Sequence, residues 1–251
     1  MDGLRLSDAR LRGVTISDVQ VRGGSLYRGK LYGLELCDVE ITGDLRNVTV
    51  NGVDIAPLID AELNRRMPER AKMRPGTADG YREAWSILER LWDGTVARAR
   101  TFAEADLHRG VGEEWSFIQT IRHLCFASDA WVARMILGNP SPWHPLDLPW
   151  DEAPGWPGIP WDRDARPSLD EVLTLRAERQ TMVREVIAGL TDDQLASTVT
   201  QTAPGWPVLE DVALRECLDI VLIEEWEHRQ YAERDLTALA DQSPAEESSR
   251  L

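Results

Sequence analysis

Lysine is almost missing from this 251-residue chain: Lys30 and Lys72 are the only two among 28 bases, which face 43 acids. The resulting formal charge of −15 repels phosphate backbones and anionic lipid headgroups, so neither nucleic acid nor a membrane surface is an expected partner. No run of 18 or more apolar residues occurs, which excludes a membrane-spanning helix. Residues 1–7 lack a basic stretch followed by an apolar one, so the expected location is the cytoplasm. Cysteine is scarce too. Cys37, Cys125 and Cys217 are far apart, odd in number and without a C-x-x-C pair, which argues against a disulfide framework and a thiolate zinc site. With 43% hydrophobic and 28% charged residues, the chain has the composition of a soluble globular protein of one large or two modest domains.

What is present begins with a repeat. Leu6, Leu11, Ile16, Val21, Leu26, Leu31, Leu36 and Ile41 recur every five residues. Two places before each stands a small or apolar residue, from Leu4 and Ala9 to Leu34 and Val39. A period of five fits neither an α-helix nor a flat strand. It fits a square coil whose five-residue sides turn one large and one smaller apolar residue inward, with stacked coils hydrogen-bonded to each other. Val48 with Val50, and Val53 with Ile55, extend the pattern after a one-residue slip. This resembles the pentapeptide-repeat family, a right-handed quadrilateral β-helix, over residues 1–55. Eight repeats make only about two coils, so the module needs a cap. Residues 1–55 hold seven bases and eight acids, so the acidity lies elsewhere in the chain. Imitation of DNA by this segment is not expected; docking, dimerisation or scaffolding is.

After Ile55 the periodicity turns helical, giving an α+β organisation by segments. Pro57 to Arg66 reads as a short helix ended before Pro68, so residues 56–76 form a capping helix and linker. Four longer amphipathic patterns follow and predict a four-helix bundle over residues 77–240. They run from Thr77 to Phe102, from Ser116 to Leu137, from Ser168 to Gly189, and from Val208 to Leu239. Ser116 is a candidate N-cap, and Ser168 with Glu171 has capping-box spacing. Residues 241–251 are expected to be a disordered tail. Between the second and third helices, residues 138–167 are too many for a hairpin connection and hold Trp143, Trp150, Trp156 and Trp161. The expectation is a crossover that forms a packed wall or lid, with the two helices it joins running parallel.

The fourth helical pattern carries the residues of most chemical interest. Leu214, Cys217, Val221, Glu224, His228 and Tyr231 follow at three- and four-residue steps, on one face. A carboxylate and an imidazole in an apolar stripe are costly unless something holds them. A divalent metal would do so, and i, i+4 spacing brings both to one point. His123, in the mainly apolar second helix, is the candidate third ligand. Two His and one carboxylate leave a coordination position open, an arrangement catalytic in type. Without metal, the alternative account is a Glu224 to His228 hydrogen bond in the core. Glu225 falls one step off the stripe and is expected to be solvated, and His108 and His144 are expected at the surface. Glu225-x-x-His228 also has the spacing of di-iron carboxylate bundles, but no second copy exists. Trp131, Trp143 and Trp226 are the aromatics expected near the open pocket.

The segments from Trp115 to Trp131 and from Glu224 to Leu236 resemble the DinB-like (DinB_2) superfamily over residues 77–240. The resemblance implies an up-down-down-up bundle with the long crossover in its middle. It also implies a divalent metal, zinc or nickel, held by one His of the second helix and a His-x-x-x-His of the fourth. His123 and His228 match, and Glu224 takes the place of the first His of that motif, as it does in the related mycothiol-dependent maleylpyruvate isomerases. An additional C-terminal domain like that of those isomerases is not expected here. Characterised relatives use mycothiol, bacillithiol or glutathione, so the resemblance implies a metal-dependent S-transferase that joins a low-molecular-weight thiol to a small electrophile. It also implies pairing of bundles as a homodimer. Two other functions use the same residues: a metal hydrolase with Glu225 or Glu227 as base, and a non-catalytic binding or scaffold protein with a vestigial site.

Overall fold

The structure, a computed structural model, describes residues 6–242 except 20, 22, 23, 44, 113 and 157. It divides into two compact units, Met1–Arg46 and Asn47–Leu251. Leu4 of the repeat and residues 243–251 of the expected tail lie outside the described residues.

In the first unit the five-residue period is visible in the backbone. Asp8, Gly13, Asp18, Arg28, Gly33 and Asp38 all have left-handed φ, between 52° and 64°, each two places after a repeated apolar residue. The expected β-helix differs from what is seen. No strand occurs among the described residues before Thr49, and the repeated apolar residues from Leu6 to Ile41 are all at least 62% exposed. A coil interior needs further coils stacked on both sides of it, and about two coils are too few to enclose one.

The second unit opens with a hairpin in place of a continued repeat. Strands β1 (Thr49–Val50) and β2 (Val53–Asp54) pair antiparallel. Asn51 and Gly52 between them both have positive φ, 52° and 83°, the pattern of a type I′ turn. Helix α1 (Ala56–Arg66) follows with a proline in its first turn, and a 3-10 turn covers Pro68–Met73.

Four long helices form the body. Helix α2 (Ala78–Ala99) is capped by Thr77, whose hydroxyl accepts from the Gly80 N–H. Helix α3 (Phe117–Ser128) begins with a capping box between Ser116 and Gln119 and continues as a π-helix over Asp129–Ile136. Helix α4 (Leu169–Ala188) begins with the expected box between Ser168 and Glu171. Helix α5 runs Leu214–Gln242. Its expected first turns are instead strand β4 (Leu209–Ala213), paired antiparallel with β3 (Thr198–Gln201). The β-branched run at Thr198, Val199 and Thr200 supplies the partner strand.

The stripe of α2 packs as its periodicity predicts: Tyr81, Trp85, Leu88 and Trp92 are all at most 2% exposed. One core cluster joins the first three to Val132, Val183, Ile187, Val221, Leu222 and Trp226. A second joins Trp92 to Ile118, Ile121, Leu124, Val172 and Leu236. Among the described residues no helix is long and apolar enough to cross a membrane.

The crossover is packed onto α3. Trp143 is buried and stacks on Phe126 of α3, and Trp150, Trp161 and Trp206 complete the same cluster. Two buried arginines of α3 hold loop carbonyls. Arg122 donates from Nε to Leu146 at 2.7 Å, from Nη1 to Ala165 at 2.8 Å, and from Nη2 to Asp162. Arg134 donates from Nε to Pro207 at 3.0 Å, and its two Nη groups reach Pro140 and Ala203. Carbonyls turned away from water need such donors, and a guanidinium supplies five N–H groups in one plane.

Candidate metal centre

His123 lies two turns into α3, on a side buried against α5. Its Nδ1 lies 2.9 Å from the carbonyl of Leu148 in the crossover. The carbonyl can only accept, so Nδ1 carries a proton, and in the neutral ring Nε2 keeps a lone pair. That Nε2 lies 3.4 Å from Glu224 Oε2. His228, one turn after Glu224 on α5, sets its Nδ1 2.9 Å from the Glu224 backbone carbonyl, which fixes the same tautomer. Imidazoles that donate one N–H to a carbonyl and keep the other nitrogen free are oriented as metal ligands are. The two rings are 4.7 Å apart, centre to centre.

Glu224 is the residue that something else must satisfy. Its Oε2 is buried and has no hydrogen-bond donor. His228 Nδ1 lies 3.1 Å away, but its proton is taken by the backbone carbonyl. Burial alone would raise the Glu224 carboxyl, yet hydrogen bonding and positive charge from the two imidazoles, in their protonated form, outweigh it and hold the group well below the usual carboxylate range. His228 moves the opposite way. Burial disfavours its cation, but the Glu224 carboxylate prevails and raises it. Ligand atoms of His123, Glu224 and His228 all lie within 4.8 Å of one another. An orphaned carboxylate oxygen beside two imidazoles suits a divalent cation of the zinc or nickel kind, since such ions take mixed nitrogen and oxygen donors.

The other expected residues are placed differently. Glu225 is not solvated: it is 2% exposed and bound by Arg176 of α4, Nη1 to Oε1 at 3.2 Å and Nη2 to Oε2 at 2.6 Å. One step off the stripe turns it toward α4, where Arg176, itself over the Trp92 ring, neutralises it. His108 and His144 are half-buried, and neither belongs to the cluster. Trp131 packs edge-on against Trp206, and Trp226 lines a separate cavity of about 140 Å³ with Asp60 and Arg70.

Sequence reasoning missed Trp115. Its ring centre is 4.6 Å from that of His123 and 6.2 Å from that of His228, and its indole N–H donates to Asp151 in the crossover at 2.8 Å. The available signal was an aromatic just before the N-cap Ser116, where a side chain folds back over the first turn of its helix. All three cysteines are free thiols, and burial pushes the Cys217 thiol up to about 11, so it is not poised as a nucleophile.

A family model described as DinB_2, DinB superfamily, matches residues 87–232, which include all three residues of the cluster. Comparison with curated proteins and with solved structures gave no match.

Proposed function

The chain belongs to the DinB superfamily, and from that premise we propose that it is a metal-dependent S-transferase acting on a low-molecular-weight thiol of the mycothiol type and a small electrophile. His123, Glu224 and His228 are its metal ligands, with zinc or nickel as the ion. One observation carries the reading: an imidazole nitrogen freed by its carbonyl-bound tautomer faces a buried, unsatisfied carboxylate oxygen, with a second imidazole of the same tautomer beside it. When bound, the ion supplies Lewis acidity that lowers the pKa of a thiol, giving a nucleophile near neutral pH. In this reading Leu148 and the Glu224 backbone orient the two rings, and Trp115 limits the entry of water. The S–H bond would break with its proton passing to solvent, the sulfur pair would form the new bond to the electrophile, and the bonding pair displaced there would depart with the leaving group or, in an addition, take up a proton from solvent. Glu225 cannot serve as the base of a hydrolase, because Arg176 holds both its oxygens.

Within this reading the bundle has the up-down-down-up order of the superfamily and pairs as a homodimer, and the five-residue repeat is a pentapeptide-repeat accessory. Elemental analysis of the purified protein, then turnover of an electrophile with and without mycothiol, tests the function. Stoichiometric metal lost in Glu224→Ala, with thiol-dependent turnover, is the expected result. Protein that binds neither zinc nor nickel would sink it.

A further inference from the structure

Two buried carboxyls, one on the helix and one in the crossover, interact with each other. Asp129, at the start of the π-helix, is 2% exposed, and Asp147, in the crossover, is fully buried. Arg179 of α4 donates to Asp129 Oδ2 from Nε at 3.1 Å and from Nη2 at 2.9 Å. Asp147 Oδ2 accepts the His144 backbone N–H at 2.8 Å, while its Oδ1 is buried with no donor among the described residues. Two carboxylates against one guanidinium leave a net negative charge and an orphan acceptor, both out of water. One proton would remove both faults: Asp147 as the acid would donate to the neighbouring Asp129, whose charge Arg179 balances.

The surrounding groups offer no other remedy. On α3, Arg122 is committed to loop carbonyls and Cys125 is a buried thiol. On α4, Glu178 pairs with Arg179 at 3.1 Å and Arg176 is bound to Glu225. His144 spends its side-chain Nδ1 accepting the Leu146 N–H. Burial first, then the neighbouring carboxylate, raise Asp147 well above its ordinary value, and burial raises Asp129 against the pull of Arg179.

Asp147 is joined to Leu148, whose carbonyl receives the His123 Nδ1 proton, and Leu146 on its other side is held by Arg122. We propose that Asp147 is a positioning residue: a proton shared between Asp147 and Asp129 fastens the crossover to α3 and so keeps the Leu148 carbonyl on His123, with Nε2 turned to Glu224. Its functional consequence rests on reading His123 as a metal ligand; the shared proton does not.

The test uses the full chain. Infrared spectra of wild-type protein at pH 7, with and without ¹³C-aspartate labelling, should show a protonated aspartic acid band that Asp147→Asn removes. That variant keeps an acceptor for His144 and a donor for Asp129 at every pH. A raised folded pKa gives stability that is complete below the unfolded aspartate value, about 4, and is lost as pH rises toward the folded one. The unfolding constant of metal-free wild type should therefore grow relative to that of Asp147→Asn, by up to about tenfold per pH unit. Absence of the band, with parallel pH curves, would overturn the shared proton. Zinc titration is the second arm: Asp147→Ala should weaken binding about 10- to 100-fold and Asp147→Asn should restore it. Equal affinities in all three proteins overturn the positioning role. Wild type that binds no zinc defeats the proposed function, while the infrared and unfolding arms still decide the proton.

Discussion

Arg176 and Glu225 meet face to face between α4 and α5, with one guanidinium Nη group on each carboxylate oxygen and each side chain at most 3% exposed. This pair fixes the rotation of α5. With Glu225 turned to α4, Glu224 falls about 100° away around the helix, on the side of His123. A buried pair cut on one side leaves an uncompensated charge. Arg176→Met should cost about 3–5 kcal/mol in urea unfolding, and adding Glu225→Gln should recover most of that loss. A double variant no more stable than the single one would refute this account.

Zinc should stabilise the folded chain through the three-residue cluster. At a free concentration about a hundredfold above Kd, the gain in unfolding free energy should be about 2.7 kcal/mol. His123→Ala and Glu224→Ala should lose that gain, as read by thermal melts with and without zinc.

The raised pKa of His228 predicts a pH dependence. Burial opposes its cation, and the Glu224 carboxylate prevails. In metal-free protein the stabilisation is therefore full below the unfolded histidine value, about 6.5, and disappears as pH rises through the folded one. Zinc needs the neutral ring, so its affinity should climb over the same window, by up to about tenfold per pH unit. Calorimetric titrations at pH 6, 7 and 8 check this; a flat profile would count against His228 as a ligand.

Arg122 of α3 should be the costliest single anchor of the crossover. Arg122→Met strands the carbonyls of Leu146, Asp162 and Ala165. Charged hydrogen bonds are worth about 1.5–3 kcal/mol each, so a loss of at least about 3 kcal/mol in unfolding free energy is expected from urea titration. Limited proteolysis should then cut within residues 144–165.

The unit Asn47–Leu251 contains the hairpin, the bundle and the whole metal cluster. Deletion of residues 1–46 should leave a chain that melts cooperatively and binds zinc as tightly as the full protein. Loss of cooperative melting would make the repeat a structural part of the bundle.

Much of this was legible in the sequence because local chemistry decides it. Thr77, Ser116 and Ser168 cap helices with their own hydroxyls, and steps of three and four put Glu224 and His228 on one side of α5. What escaped depends on partners distant in the chain. Glu225 read as solvated because nothing local announces Arg176, 49 residues earlier. Val208 read as helix because its neighbours alternate weakly and their partner strand is a separate segment. The five-residue period is real in the backbone turns, but a period says nothing about whether enough coils exist to bury its apolar residues.

The π-helix at Asp129–Ile136 separates what chemistry sets in α3 from what length sets. Its i to i+5 bonding, seen where the Leu137 N–H reaches the Val132 carbonyl at 2.9 Å, fits more residues into each turn than the α-helical part before it. Trp131 stands eight places after His123, yet it packs on Trp206 and away from the metal cluster. The phase between the two halves of α3 is thus held by a count of residues. An insertion or deletion there would re-aim Trp131 and the residues that follow it in the helix, while leaving His123, Glu224 and His228 where they are.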